Sequence, residues 1–191
     1  GLCAGAAHAL DSVSSGHWTN SATWGGSLPG SGVDVVIKAG HTVTMNDLVE
    51  REAKSLTIEN TGVLTHTAHA SSDTTEKYKV ILKIAGDLTI DAGGAIDGVG
   101  KGFQQGQGPC QGTHAAAHGG NAGAHNVGQS VGTTYGSITA PTNCGSGGHS
   151  TYAAADGGGA VILTVGGVST VNGVISATAL SGSTYYAGSG G

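Results

Sequence analysis

Charge is what this chain has least of. Charged residues make up 10% of its 191 residues, against about 25% in ordinary globular domains. All seven Lys and Arg lie at or before Lys101, and beyond it the only formally charged side chain is Asp156. With no basic stripe to neutralise phosphates, the sequence argues against nucleic acid as a partner. No apolar run reaches the roughly 18 residues of a membrane-spanning helix, so no membrane span is expected. There are only 3 prolines and, despite 37 glycines, no strict Gly-X-Y period, which excludes collagen and polyproline. The three cysteines form no CxxC pair, so a zinc knuckle or redox motif is unsupported.

What is present is a β grammar. Hydrophobic residues reach 38%, enough for a core, and the net charge is −5. Low charge with Val-, Ile- and Thr-rich runs argues against a charged disordered chain. Two tryptophans, Trp18 and Trp24, precede a Gly/Pro/Ser turn cluster, followed by short β-rich runs at Val33–Ile37 and His41–Met45. The one helix-compatible stretch is Asn46–Lys54, with Asn46 or Asp47 as cap; a charged loop is the alternative. From residue 55 the pattern is strand, glycine turn, strand: Leu56–Ile58, Val63–Thr67, Val80–Ala85, Leu88–Ile90 and Ala95-Ile96, with His69–Lys77 as a polar insertion. Val161–Val165, Val168–Val171 and Val174–Ala177 echo residues 80–97, a weak internal repeat that points to stacked units.

Strands this short are not stable as isolated hairpins. Stacked coil on coil, each buries its apolar side only through its neighbours. The expected fold is therefore all-β, a right-handed parallel β-helix-like solenoid, with a β-sandwich as the alternative. Residues 1–16 read as a flexible lead-in, 17–97 as a β-rich part, 98–160 as a glycine-rich excursion, and 161–191 as a second β-rich part continuous with 17–97. Flanked by matching strand patterns, the excursion is expected to be ordered, its amides bonded to one another or to the β-body.

The opening HWTNSATWGGSLPGSGVDVVIKAGHTVTM resembles the start of many bacterial surface proteins and, distantly, G8-type domains. The remainder, with GAIDGVGKGF, HGGNAG, NCGSGGH and GGGAVILTVGG, resembles glycine-rich segments of large secreted bacterial β-helix proteins. The resemblance is one of pattern over residues 17–191. It implies a secreted or cell-surface location and a surface, adhesive or matrix role, some relatives of that kind acting on polysaccharides. The chain departs from the pattern with His114, His118, His125, His149, Cys110 and Cys144, where glycine and serine are usual. It ends at Ser189-Gly190-Gly191 in mid-pattern, which suggests a processed piece or an open end.

Four sets of residues are candidate sites. Cys110 and Cys144 are the candidate disulfide, with two buried thiols as the alternative; Cys3 is left over, and an extracellular setting would permit such bonds. His114, His118 and His125 are candidate metal ligands, with polar surface as the plain reading. Trp18 and Trp24 are either a carbohydrate platform or a cap on the β-core. Val168, Ser169, Tyr185 and Tyr186 are candidate self-association residues. Asp87, Asp91 and Asp97 fall near turns, where aspartate is common; as a hydrolytic acid pair they lack supporting residues. No GxSxG is present, and Gly98–Gly102 lacks the spacing of a phosphate loop. No cofactor is expected. The sequence thus points to a non-catalytic structural or adhesive module that assembles with itself into fibres or matrix. The alternative is a carbohydrate-binding or polysaccharide-cleaving β-helix protein, such as a lyase or glycoside hydrolase.

Overall fold

The computed structural model describes residues 9–110, 116–119, 133–148, 155–180 and 188–191. Among these, the chain forms thirteen short strands: β1 (Leu10–Asp11), β2 (Gly16–His17), β3 (Asp34–Ile37), β4 (Thr42–Met45), β5 (Arg51–Ala53), β6 (Ser55–Ile58), β7 (Val63–His66), β8 (Val80–Ile84), β9 (Leu88–Ile90), β10 (Ala95–Asp97), β11 (Val161–Val165), β12 (Ser169–Val171) and β13 (Val174–Ser176). They build three sheets in the orders β1-β3-β6-β9-β12 (sheet A), β2-β4-β7-β10-β13 (sheet B) and β5-β8-β11 (sheet C). Every pairing is parallel. From β3 onward the chain visits the sheets in the fixed rotation A, B, C. The result is all-β with parallel sheets, which rules out the antiparallel sandwich.

The alternation seen in the sequence is the reason. β3, β4 and β6 each alternate half-buried and fully buried residues, as strands with one face on a core do. Register then stacks like on like. Val35, Leu56 and Leu88 form one interior column, and Ile37, Ile58 and Ile90 a second. Val43, Leu64 and Ile96 form a third, and Ala53, Ile84 and Val165 a fourth. Each buried aliphatic side chain contributes about 1.5–3 kcal/mol relative to exposure. Glycine shapes the corners: a Cβ on Gly62 would press on the carbonyl oxygens of Ile37 and Glu59, both at 3.0 Å.

Two expectations change. Residues 9–16 are not a loose lead-in. β1 pairs with β3, and the buried Ser12 accepts a hydrogen bond from Lys38 N at 2.9 Å. The helix-compatible stretch Asn46–Lys54 is a turn followed by β5. Asp47 accepts from Val49 N and pairs with Arg51, while Ala53 enters the interior against Ile84. Pairing with a distant strand outweighs the local helix preference of Glu, Arg and Ala.

The described parts of the glycine-rich excursion are ordered by backbone hydrogen bonds. Gly102 N donates to Gly157 O, Gly157 N to Phe103 O, Gly145 N to Gly158 O, Gly158 N to Ser189 O, Gly159 N to Gly98 O and Leu180 N to Asp156 O. Residues 156–159 thus bond to four other segments, whereas a sheet strand has two neighbours in one plane. Only glycine permits the spacing: a methyl on Gly158 would overlap the Ala177 carbonyl, and one on Gly157 that of Gly145.

Candidate functional site

The first turn of the body is closed by the tryptophans. Trp18 and Trp24 are 3% and 2% exposed. Their rings meet edge to face at 5.2 Å, and Trp24 Nε1 donates to Trp18 O at 2.9 Å. A 3-10 turn at Ser21–Trp24, capped by Asn20, brings them together. With neither ring face open to solvent, the carbohydrate platform gives way to the cap.

The opposite end is open. Val171 lies over the Ile37–Ile58–Ile90 column and Ile175 over the Val43–Leu64–Ile96 column, yet they are 45% and 42% exposed, and Val168 and Val174 are exposed as well. Ser169 continues the Leu88 column outward and is exposed. Among the described residues β11, β12 and β13 are the terminal strands of their sheets, each with one edge that no described strand pairs. Tyr185 and Tyr186 lie outside the described residues.

A buried polar junction clamps the excursion to the loop between β7 and β8. Glu76 accepts from Cys144 N at 2.5 Å and pairs with Lys79 at 2.6 Å. Lys79 also donates to Thr142 O. Tyr135 donates to Cys144 O at 2.6 Å, Ser146 donates to Tyr135 at 3.0 Å, and Cys110 N donates to Ser146 Oγ at 3.1 Å. The candidate disulfide is absent: Cys110 Sγ accepts from Ala117 N, while Cys144 Sγ donates to Tyr78 O. The two sulfurs are aimed at different backbone groups, and each side chain is buried. Cys3 lies outside the described residues. Burial pushes the Cys144 thiol up to about 12, which removes it as a nucleophile.

Histidines join the same junction. His69 donates from Nδ1 to Lys101 O at 3.1 Å and accepts from Lys77 N at Nε2, 2.9 Å away. His66, fully buried, donates from Nδ1 to Thr67 O, and its Nε2, with no hydrogen-bond partner, faces Gly159. Burial lowers its pKa to about 4. His118 packs edge-on against Tyr135 at 4.9 Å, and burial lowers its pKa too. His114 and His125, its proposed metal co-ligands, lie outside the described residues, and among the described residues no three metal-ligating side chains converge.

The acids serve turns. Asp87 accepts from Val168 N at 2.8 Å and Asp97 from Val99 N at 2.9 Å. Sequence reasoning did not single out Glu76, Lys79 or Ser146; the only signal, for Glu76, was the density of polar residues in His69–Lys77, which read as an inserted polar loop. No helix among the described residues is long and apolar enough to cross a membrane. Comparison of the chain with known protein families, with curated proteins and with solved structures finds no match.

Proposed function

We propose that the chain is an extracellular structural or adhesive module, secreted or at the cell surface, built as a right-handed parallel β-helix-like solenoid and associating with itself. The rotation of the chain through three parallel sheets supports the solenoid. Parallel crossovers are right-handed in about 98% of cases, which supports the hand.

The observation that carries self-association is the open end. Three strand edges that no described strand pairs and the exposed Val168, Val171, Val174 and Ile175 lie together, in a half of the chain whose only charge is Asp156. An uncharged apolar edge is a template for pairing, and little like-charge repulsion opposes it. The non-catalytic reading is supported by Asp87 and Asp97, whose carboxylates are committed to turn amides.

Sedimentation of the full chain over a wide range of concentration and salt tests the reading. Association is expected with weak salt dependence, because no ion pair forms it. Val168→Lys and Ile175→Lys, which place charge on the exposed end, should each shift the equilibrium to monomer. A strictly monomeric wild type would refute the proposal, as would association unchanged in both variants.

A further inference from the structure

Sheet C begins one turn later than its neighbours. Sheets A and B open with β1 and β2, whereas sheet C opens with β5. Between β2 and β3 the chain makes the 3-10 turn and a loop over residues 25–33 instead of laying a strand on β5. Among the described strands β5 is therefore an edge. In a parallel strand, successive residues turn their N–H and C=O alternately to either side. Ala85 N donates to Ala53 O at 3.0 Å, so Arg51 and Ala53 face β8 and the N–H and C=O of Glu52 face outward. Two residues on, the outward Lys54 N donates to Val33 O at 2.8 Å, which shows this side of the strand accepting a backbone partner.

Beside that edge lies a cleft of about 210 Å³ lined by Trp18, Thr19, Leu28, Pro29, Gly30 and residues 50–52. It is smaller than the roughly 300–1,000 Å³ of pockets for drug-sized ligands, so it suits a single side chain. One wall is apolar, with Leu28 exposed and Pro29 beside it. The rim is acidic. Glu50 is exposed and makes no ion pair among the described residues. Glu52 meets Lys83 only at 3.5 Å, both side chains about half exposed, and Arg51 is already held by Asp47.

We propose that the β5 edge and this cleft form a docking site for an extended basic peptide segment of another protein, added as a further strand of sheet C. Its backbone bonds the outward N–H and C=O of Glu52. One Lys or Arg lays its methylenes on Leu28 and Pro29 and its charge against Glu50 and Glu52. In strand addition, backbone bonds supply affinity and side-chain pockets supply specificity, and long basic side chains combine an apolar stem with a charged head. The open end of a second copy is not the occupant, because no Lys or Arg occurs after Lys101. The site is independent of self-association.

The test uses the full chain and a labelled heptapeptide alternating valine with lysine and arginine, a matched peptide alternating valine with glutamate and aspartate, and cellohexaose. Fluorescence anisotropy measures binding, and amide NMR shifts locate it. The basic peptide is expected to bind, more weakly at high salt, and to shift the Glu52 amide. Glu50→Lys should weaken it about tenfold or more. Glu52→Pro, which removes the outward N–H together with the carboxylate that meets Lys83 and is tolerated on an edge, should abolish strand addition while the tryptophan fluorescence stays native, whereas Glu52→Gln, which keeps the N–H, should only weaken it. If Glu52→Pro does not fold, Glu50→Lys and the location of the shifts decide. Equal binding of the acidic peptide, unchanged binding by Glu50→Lys, shifts elsewhere on the chain, cellohexaose shifting the same amides, or no binding of either peptide would each overturn the proposal.

Discussion

Acid should loosen this protein through His66 well before the ion-paired carboxylates of Asp34, Glu59 and Asp73 protonate. The ring is fully buried, its Nδ1–H is spent on Thr67 O, and its Nε2 faces Gly159 of the glycine-rich excursion with no hydrogen-bond partner. A proton on Nε2 would be buried against Gly159, so burial first, and then the neighbouring His69 and Lys101, outweigh the Thr67 hydrogen bond and the Asp97 charge and hold the pKa at about 4. The unfolded chain binds that proton at about 6.5. Because the folded pKa is the lower one, the unfolded state takes up more protons as pH falls, and stability is lost between about pH 6.5 and pH 4. At about 1.4 kcal/mol per unit, the loss is roughly 2 kcal/mol between pH 7 and pH 5 and about 3 kcal/mol by pH 4. His118, also lowered by burial, adds in the same direction. Asp34, Glu59 and Asp73, whose pKa values are lowered by hydrogen bonds to Lys54, Lys38 and Lys77, lose their pairing only at lower pH. Urea unfolding followed by fluorescence of the buried tryptophans, at pH 7, 6 and 5, measures the slope. His66→Leu keeps most of the volume and removes the titrating group, so its loss between pH 7 and pH 5 should be smaller by about 2 kcal/mol. Equal slopes in the two proteins would refute the reasoning.

Two further outcomes follow from close packing and thiol burial. Gly158→Ala forces a methyl into the Ala177 carbonyl and should cost about 3 kcal/mol or more, while Gly30→Ala, with nothing within 4 Å, should leave the urea midpoint nearly unchanged; equal midpoints would contradict the close approach of Gly158 to Ala177. Cys144, pushed up to about 12 by burial, should resist iodoacetamide at pH 8 in the native protein and react once unfolded, as read by mass spectrometry of intact protein; rapid native labelling at Cys144 would contradict its burial.

The strands were legible because they are local. Val, Ile and Leu alternate with Thr and Ser between glycine turns, and that period alone marks β6, β8, β9 and β11 nearly to the residue. Glycine clusters likewise marked the corners, and the echo of residues 80–97 in 161–177 anticipated β11, β12 and β13 stacking on β8, β9 and β10. Arg51–Ala53 was not legible as a strand, since its own residues favour helix and only β8, some thirty residues on, supplies its hydrogen bonds.

The sequence by itself determined that the strands are short and separated by glycine turns and that the second half is nearly chargeless; it left stacked coils and a sandwich both open. The tertiary structure alone decided which residues meet. Trp18 and Trp24 became a cap rather than a surface because the 3-10 turn folds one ring onto the other. The polar insertion became the buried clamp of Glu76, Lys79 and His69 because the excursion closes over it. Cys110 and Cys144 stayed apart because each sulfur is held by a different backbone group. Alternation and turn chemistry act between neighbours along the chain, so a sequence displays them. Burial of a polar group depends on a partner dozens of residues away, whose position is fixed only when the sheets stack.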